Sequence, residues 1–268
     1  MTKRLRLTVL GCGSSPGTPR ITGDWGQCDP TNPRNRRTRC SAMVELIDGP
    51  EVTRVVIDCG PDFREQMLAA SVDRIDGILI THPHADHIHG LDDVRGYVLD
   101  HRKLVDLYAD ADTYARLFEA FGYCFRTPAG SSYAPVVRHR EITAGTSFDI
   151  DGPAGALTIR PYAQVHGAIH SLGFRIGPFA YSSDVSDFPI EAIEAIRGAD
   201  LLLIDALQHR PHPSHLSLEQ AIDWIDRLGV PQAILTHMHT PLDYAALKAA
   251  LPPHIEPGFD GMRVERDV

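Results

Sequence analysis

Short apolar runs recur along the chain, each closed by glycine, proline or a polar cluster, and stretches with helical spacing fall between them. Residues 5–10 form the first run and end in the glycine-rich turn Gly11-Cys12-Gly13-Ser14-Ser15-Pro16-Gly17. Residues 41–47, 54–58, 77–81, 105–108, 201–205 and 232–236 repeat the pattern and predict strands. Residues 156–162, 174–176 and 179–182 read as a meander, and residues 63–70, 111–121, 190–196, 218–228 and 245–251 as helices. Strands persist through both halves with helices between them, so two sheets covered by helices on their outer faces are expected. No Gly/Ser linker or low-complexity tract divides residues 1–268, which we read as one domain.

Two stretches stand apart from this pattern. The polar segment over residues 18–39 is long for a loop inside a compact domain, and such loops are usually functional or mobile. The runs Ile78-Leu79-Ile80-Thr81-His82-Pro83-His84 and Ala233-Ile234-Leu235-Thr236-His237-Met238-His239 both end in Thr-His-x-His. That echo is expected of a fold with two related halves, each delivering side chains from a strand end.

Composition narrows the picture by exclusion. With 43% apolar residues, a chain of 268 can bury a substantial core. A formal net charge of -9 argues against a protein that wraps long nucleic acid, because that affinity comes largely from Lys and Arg neutralising phosphates; a small phosphate substrate stays compatible. The apolar run after Lys3 and Arg4 is short and broken by Arg6 and Thr8, so it reads as a strand and not as a signal peptide. No apolar stretch is long enough to cross a membrane. The cysteines, Cys12, Cys28, Cys40, Cys59 and Cys124, are odd in number and include no C-x-x-C pair, so no disulfide framework is visible and a reducing cytoplasm is expected.

The candidate chemistry is concentrated in His82-Pro83-His84-Ala85-Asp86-His87, three imidazoles and a carboxylate just after a buried strand. Imidazole and carboxylate donors suit zinc, manganese or iron, and the lack of clustered thiolates argues against a closed structural zinc site. Farther on, Ser217 and Gln220 have the spacing of a capping box, which sets His215 just outside a helix N-terminus and near a strand-end site.

H-x-H-x-D-H followed by Gly90 resembles the signature of the metallo-β-lactamase superfamily, and the other elements follow in order. They are Asp58-Cys59-Gly60, His166 in Gln164-Val165-His166-Gly167, Asp184 in Tyr181-Ser182-Ser183-Asp184, and His237. The resemblance implies an α/β fold, the four-layer αββα sandwich, with two divalent cations, zinc or manganese, between its sheets. By position it implies that His82, His84 and His166 hold the first cation and Asp86, His87 and His237 the second. Asp184 would bridge them, with Asp58 supporting the loop from behind. Two such cations can share a water, lower its pKa toward about 7 and clamp a phosphoryl group, so attack by that hydroxide needs no side-chain nucleophile.

Fold alone does not choose among lactam, thioester and phosphodiester substrates. An aspartate at position 184, where many β-lactamases carry cysteine, and the element His215-Leu216-Ser217 resemble the phosphodiesterase branch, in which that histidine contacts phosphate and acts as general acid. The Gly11 to Gly17 turn, Asn35-Arg36-Arg37-Thr38-Arg39-Cys40-Ser41 and the closing Phe259-Asp260-Gly261-Met262 are similar to the phosphoribosyl cyclic phosphate phosphodiesterase family. The implied partner is a small phosphodiester or nucleotide-like substrate; His215 and Asp86 are its catalytic candidates, and Arg37, Arg39 and Ser41 its phosphate contacts. That family often carries grouped early cysteines for a structural zinc, whereas the loop over residues 18–39 holds only Cys28 before Cys40, which leaves a third metal site open, as a homodimer also is. Two alternatives share the motifs: a tRNA 3′-end endoribonuclease, which needs a basic arm not visible here, and a non-hydrolytic accessory or carrier protein, which would have lost ligands that this chain retains.

Overall fold

Two seven-stranded sheets built on one plan face each other. The computed structural model describes Thr2 to Val268. The first sheet contains β1 (Arg4–Gly11), β2 (Ser41–Asp48), β3 (Glu51–Ile57), β4 (Gly77–Leu79), β5 (Val105–Ala109) and β6 (Val137–Glu141). The second contains β7 (Phe148–Gly152), β8 (Gly155–His166), β9 (Ile169–Ile176), β10 (Phe179–Ser182), β11 (Leu201–Asp205), β12 (Gln232–Thr236) and β13 (Ile255–Pro257), while β14 (Arg263–Asp267) returns to the first. The first sheet runs β14-β1-β2-β3-β4-β5-β6 and the second β7-β8-β9-β10-β11-β12-β13. In each, the first three pairings are antiparallel and the last three parallel.

The helices are α1 (Phe63–Ala70), α2 (Ala85–Ile88), α3 (Arg95–His101), α4 (Ala111–Phe125), α5 (Ile190–Ile196), α6 (Leu218–Leu228) and α7 (Tyr244–Ala250). Successive strand residues point to opposite faces, and this sorts the core. Val44, Val55, Ile57 and Leu79 join the cluster between the sheets, whereas Met43, Val56 and Ile78 join an outer cluster with Phe63 and Met67 of α1 and Leu117 of α4. Ala192 and Ile196 of α5 and Trp224 and Ile225 of α6 cover the second sheet. The result is the αββα sandwich. Burial on both faces explains why the central strands read as continuous apolar runs.

The shared plan corrects the internal echo. The counterpart of β4 is β11, and that of β12 is β5, so the two Thr-His-x-His runs occupy different places in their sheets. The true correspondence joins Asp58, directly after β3, with Asp184, just after β10. Both have left-handed backbones, at φ 66 and φ 53.

The segment over residues 18–39 is laid down on the rest of the protein. Thr18 and Arg37 exchange backbone hydrogen bonds at 2.9 Å in each direction. Arg37, 2% exposed, donates through Nη2 to Leu242 O at 2.6 Å and Asn35 Oδ1 at 3.4 Å, and through Nη1 to His239 O at 3.5 Å and Cys28 Sγ at 3.8 Å. A buried guanidinium thus ties this loop to the segment after β12. Cys28 and Cys40 belong to none of the clusters of three or more metal-type donors found among the described residues.

Candidate metal centre

The donors named in the sequence converge at one end of the sandwich. His82, His84, Asp86 and His87 leave β4 and enter α2; His166 ends β8, Asp184 follows β10, and His237 follows β12. Donor atoms of His82, His84, His166 and Asp184 all lie within 4.8 Å of one another, as do those of Asp86, His87, Asp184 and His237. Asp184 belongs to both groups, one oxygen to each. Its Oδ2 is 3.6 Å from His82 Nε2 and 3.7 Å from His166 Nε2, while its Oδ1 is 3.1 Å from His87 Nε2 and 3.4 Å from His237 Nε2. Asp86 Oδ2 completes the second group, 3.4 Å from His87 Nε2 and 3.6 Å from His237 Nε2. Asp86 stands among these donors and occupies no separate catalytic position.

The chemistry of this donor set fits cations. In the first group His84 Nδ1 lies 2.9 Å from His82 Nε2 and 3.3 Å from His166 Nε2, three imidazole nitrogens turned on one point. Burial lowers the pKa of all three rings, which keeps them neutral and their lone pairs available. In the second group burial also lowers the His87 and His237 values, but the carboxylates prevail. Asp184, Asp58 and Asp86 drive His87 well above its ordinary value, and Asp184, with Asp86 and Asp205, raises His237 to about 9. His87 Nε2 and His237 Nε2 are buried without a hydrogen-bond partner. Rings that take up protons for want of another positive partner are ones a metal ion completes, with release of those protons.

The backbone around the donors is held under constraint. Asp58, Asp184 and His237 are three of the five non-glycine residues at positive φ among those described; the other two, Ser71 and Arg102, close α1 and α3. Such conformations cost of order 1–3 kcal/mol each and persist where surroundings enforce them. Asp58 Oδ2 lies 2.6 Å from His87 Nδ1, and its Oδ1 accepts from Thr81 N at 2.8 Å, so the carboxylate fixes ring and loop together. His166 Nδ1 donates to Ser214 O at 2.7 Å, and Ser183 Oγ donates to Asp184 Oδ1 at 2.6 Å. A Cβ on Gly60 would lie 1.9 Å from Asp86 O, so the Asp58-Cys59-Gly60 turn packs against the metal loop only with glycine there.

His215 enters from a fifth direction. Its Nδ1 lies 2.7 Å from Asp205 Oδ2, its Nε2 is 4.0 Å from Asp184 Oδ2, and its ring stacks on His237 at 4.7 Å and 9°. The expected capping box is present at Ser217 and Gln220 and fixes the chain beside it. Asp205 was missed in the sequence. It is fully buried, also accepts from Val185 N at 3.1 Å, and its Oδ1 is 3.8 Å from His237 Nδ1. The signal available was a carboxylate closing the apolar run over residues 201–205.

The three expected phosphate contacts have other partners. The Arg37 fork is buried among neutral acceptors, as described. Ser41 Oγ, also buried, donates to Ile57 O at 2.9 Å and Asp58 O at 3.1 Å, so it supports the Asp58 turn from below. Arg39 is paired through Nε with Asp62 at 3.0 Å, and its backbone N–H donates to the same carboxylate at 2.8 Å. A polar loop gives no sign of which basic side chain turns inward; Arg37 does, while Arg39 stays partly exposed beside Asp62.

A family model described as a beta-lactamase superfamily domain matches residues 53–238, which include every donor above. The chain belongs to the metallo-β-lactamase superfamily. Along its whole length the chain is similar to the crystal structure of a diphosphatase from the PhnP family, at 35% identity and a TM-score of 0.89, covering 100% of this chain and 99% of that one. A Porphyromonas gingivalis octanoyltransferase is 36% identical over 261 residues, 96% of this chain but 51% of that protein, so the chain spans about half the length of this relative. A ribonuclease Z from a Mycobacterium species is 29% identical over 247 residues, covering 78% of this chain and 85% of that protein. The matched length spans the chain from the early glycine turn to Phe259-Asp260-Gly261-Met262. No helix among the described residues is long and apolar enough to cross a membrane.

Proposed function

We propose that this superfamily hydrolase is a binuclear phosphodiesterase acting on a small cyclic phosphate or nucleotide-like substrate. One observation carries the reading: an imidazole outside both donor groups, His215, is clamped by a buried carboxylate at Nδ1 and turns Nε2 toward the carboxylate that the two groups share. When bound, two zinc or manganese ions supply an activated water and positive charge at the phosphoryl oxygens. Asp205 fixes the His215 ring so that Nε2 can hand a proton to the leaving oxygen or hold a phosphoryl oxygen. Asp58, Thr81 and Ser214 keep the ligand rings from turning.

The similarity to an octanoyltransferase does not carry acyl transfer into this site. A covalent thioester route needs a thiolate, and burial raises the pKa of every cysteine here, that of Cys40 to about 11. The similarity to a diphosphatase of the PhnP family supports a phosphate-bearing substrate. Seven assembled donors speak against a non-hydrolytic carrier, and a net charge of -9 against an enzyme that grips tRNA.

The experiment is a comparison of kcat/KM. Bis(p-nitrophenyl) phosphate should be turned over, a ribose cyclic phosphate or a dinucleoside diphosphate more efficiently, and a β-lactam, an acyl thioester and a 3′-extended tRNA poorly. A preference for the lactam or thioester would overturn the phosphodiesterase reading and leave the metal centre standing.

A further inference from the structure

The early loop does more than cover the protein. Ser14 N donates to Met238 O at 3.1 Å and Gln27 N to Thr240 O at 2.9 Å, so residues 14–27 lie along the segment that leaves His237. Arg20, within this loop, donates through Nη2 to His239 Nε2 at 3.0 Å and through Nη1 to Asp24 Oδ2 at 3.1 Å. Its side chain is 40% exposed, and the guanidinium makes no other side-chain hydrogen bond among the described residues. His239 is two residues from His237, and its backbone N–H donates to Leu207 O at 2.9 Å, two residues beyond Asp205, so its ring stands beside the strand ends that carry His237 and Asp205. Arg20 therefore stands at the rim on the His237 side of the centre, its fork held by two neighbours and its remaining N–H groups unused. A planar fork fixed in advance in this way is suited to bidentate recognition of phosphate or carboxylate.

We infer that Arg20 binds a second anionic group of the substrate, beside the phosphate under attack, so that preferred substrates carry linked anionic groups as a diphosphate does. This rests on the phosphodiesterase reading above and narrows its substrate class. Asp24 and His239 act through Arg20 by holding the fork in place.

The test uses calorimetric binding of AMP and ADP, which differ by one phosphate, to the metal-replete protein. Wild type should bind ADP roughly tenfold or more tighter than AMP, the effect of one charge-assisted bidentate contact. Arg20→Gln should erase that difference while leaving AMP affinity and the melting temperature in place, and Arg20→Lys should restore part of it. Equal affinity of wild type for the two nucleotides, or equal weakening of both by Arg20→Gln, would overturn the inference. An ADP preference carried by Arg20 in a protein that hydrolyses no phosphodiester would support the subsite and count against the phosphodiesterase reading alone.

Discussion

Replacing Asp184 with alanine is expected to empty both halves of the centre together and to lower kcat on any phosphodiester by roughly a thousandfold or more. The magnitude follows from several kcal/mol of metal-derived transition-state stabilisation, at about 1.36 kcal/mol per tenfold. Asp184 alone faces both groups, Oδ2 toward His82 and His166 and Oδ1 toward His87 and His237. His82→Ala removes a donor from the first group only and should leave the second able to bind. Elemental analysis of the two variants beside wild type checks this. Two cations per chain in Asp184→Ala would show that the carboxylate bridges nothing.

Removal of His215 should separate chemistry from metal binding. His215→Ala is expected to keep both cations and the fold, because what is lost is the pairing with Asp205 and ring contacts with His237, His166 and His212, while His166 keeps its bond to Ser214 O, and to lower kcat on an alkyl phosphodiester by about 10² to 10⁴, the usual worth of general acid catalysis. An alkoxide needs a proton to leave and a nitrophenolate does not, so bis(p-nitrophenyl) phosphate should suffer much less. Asp205→Asn should show the same leaving-group pattern in weaker form, since it disturbs ring orientation and tautomer without removing the ring. Equal loss on both esters would assign His215 to phosphate positioning, and wild-type rates on both would remove it from the reaction.

What the sequence showed depended on where each residue stood in the two sheets. The central strands were legible because both faces are buried and few polar residues interrupt them. The strands that went unread, β6, β7, β13 and β14, are the four sheet edges. β6 reads Val-Arg-His-Arg-Glu and β14 Arg-Val-Glu-Arg-Asp, charged edges of the kind that blunt further pairing and hide the strand period. Helix α3 buries none of its residues and so carries no apolar stripe to read, whereas α1, anchored by Phe63 and Met67, was found at its observed bounds. Within the site, His82 to His87 could be seen because the donors are nearly consecutive. Asp205 and Arg20 were not, because their meaning lies in contacts to residues distant in sequence, His237 for the first and His239 for the second. Arg37 was misread for the same reason: its carbonyl acceptor Leu242 lies 205 positions away.

The central claim is that this fold gathers two metal ions for phosphodiester hydrolysis, and a metal titration followed by turnover tests it most directly. Protein stripped by a chelator would receive zinc or manganese stepwise, with hydrolysis of bis(p-nitrophenyl) phosphate measured after each addition. The account predicts background turnover in the stripped protein and a rise that levels at about two equivalents per chain. Full turnover without added metal, or no turnover at any metal content, would contradict it.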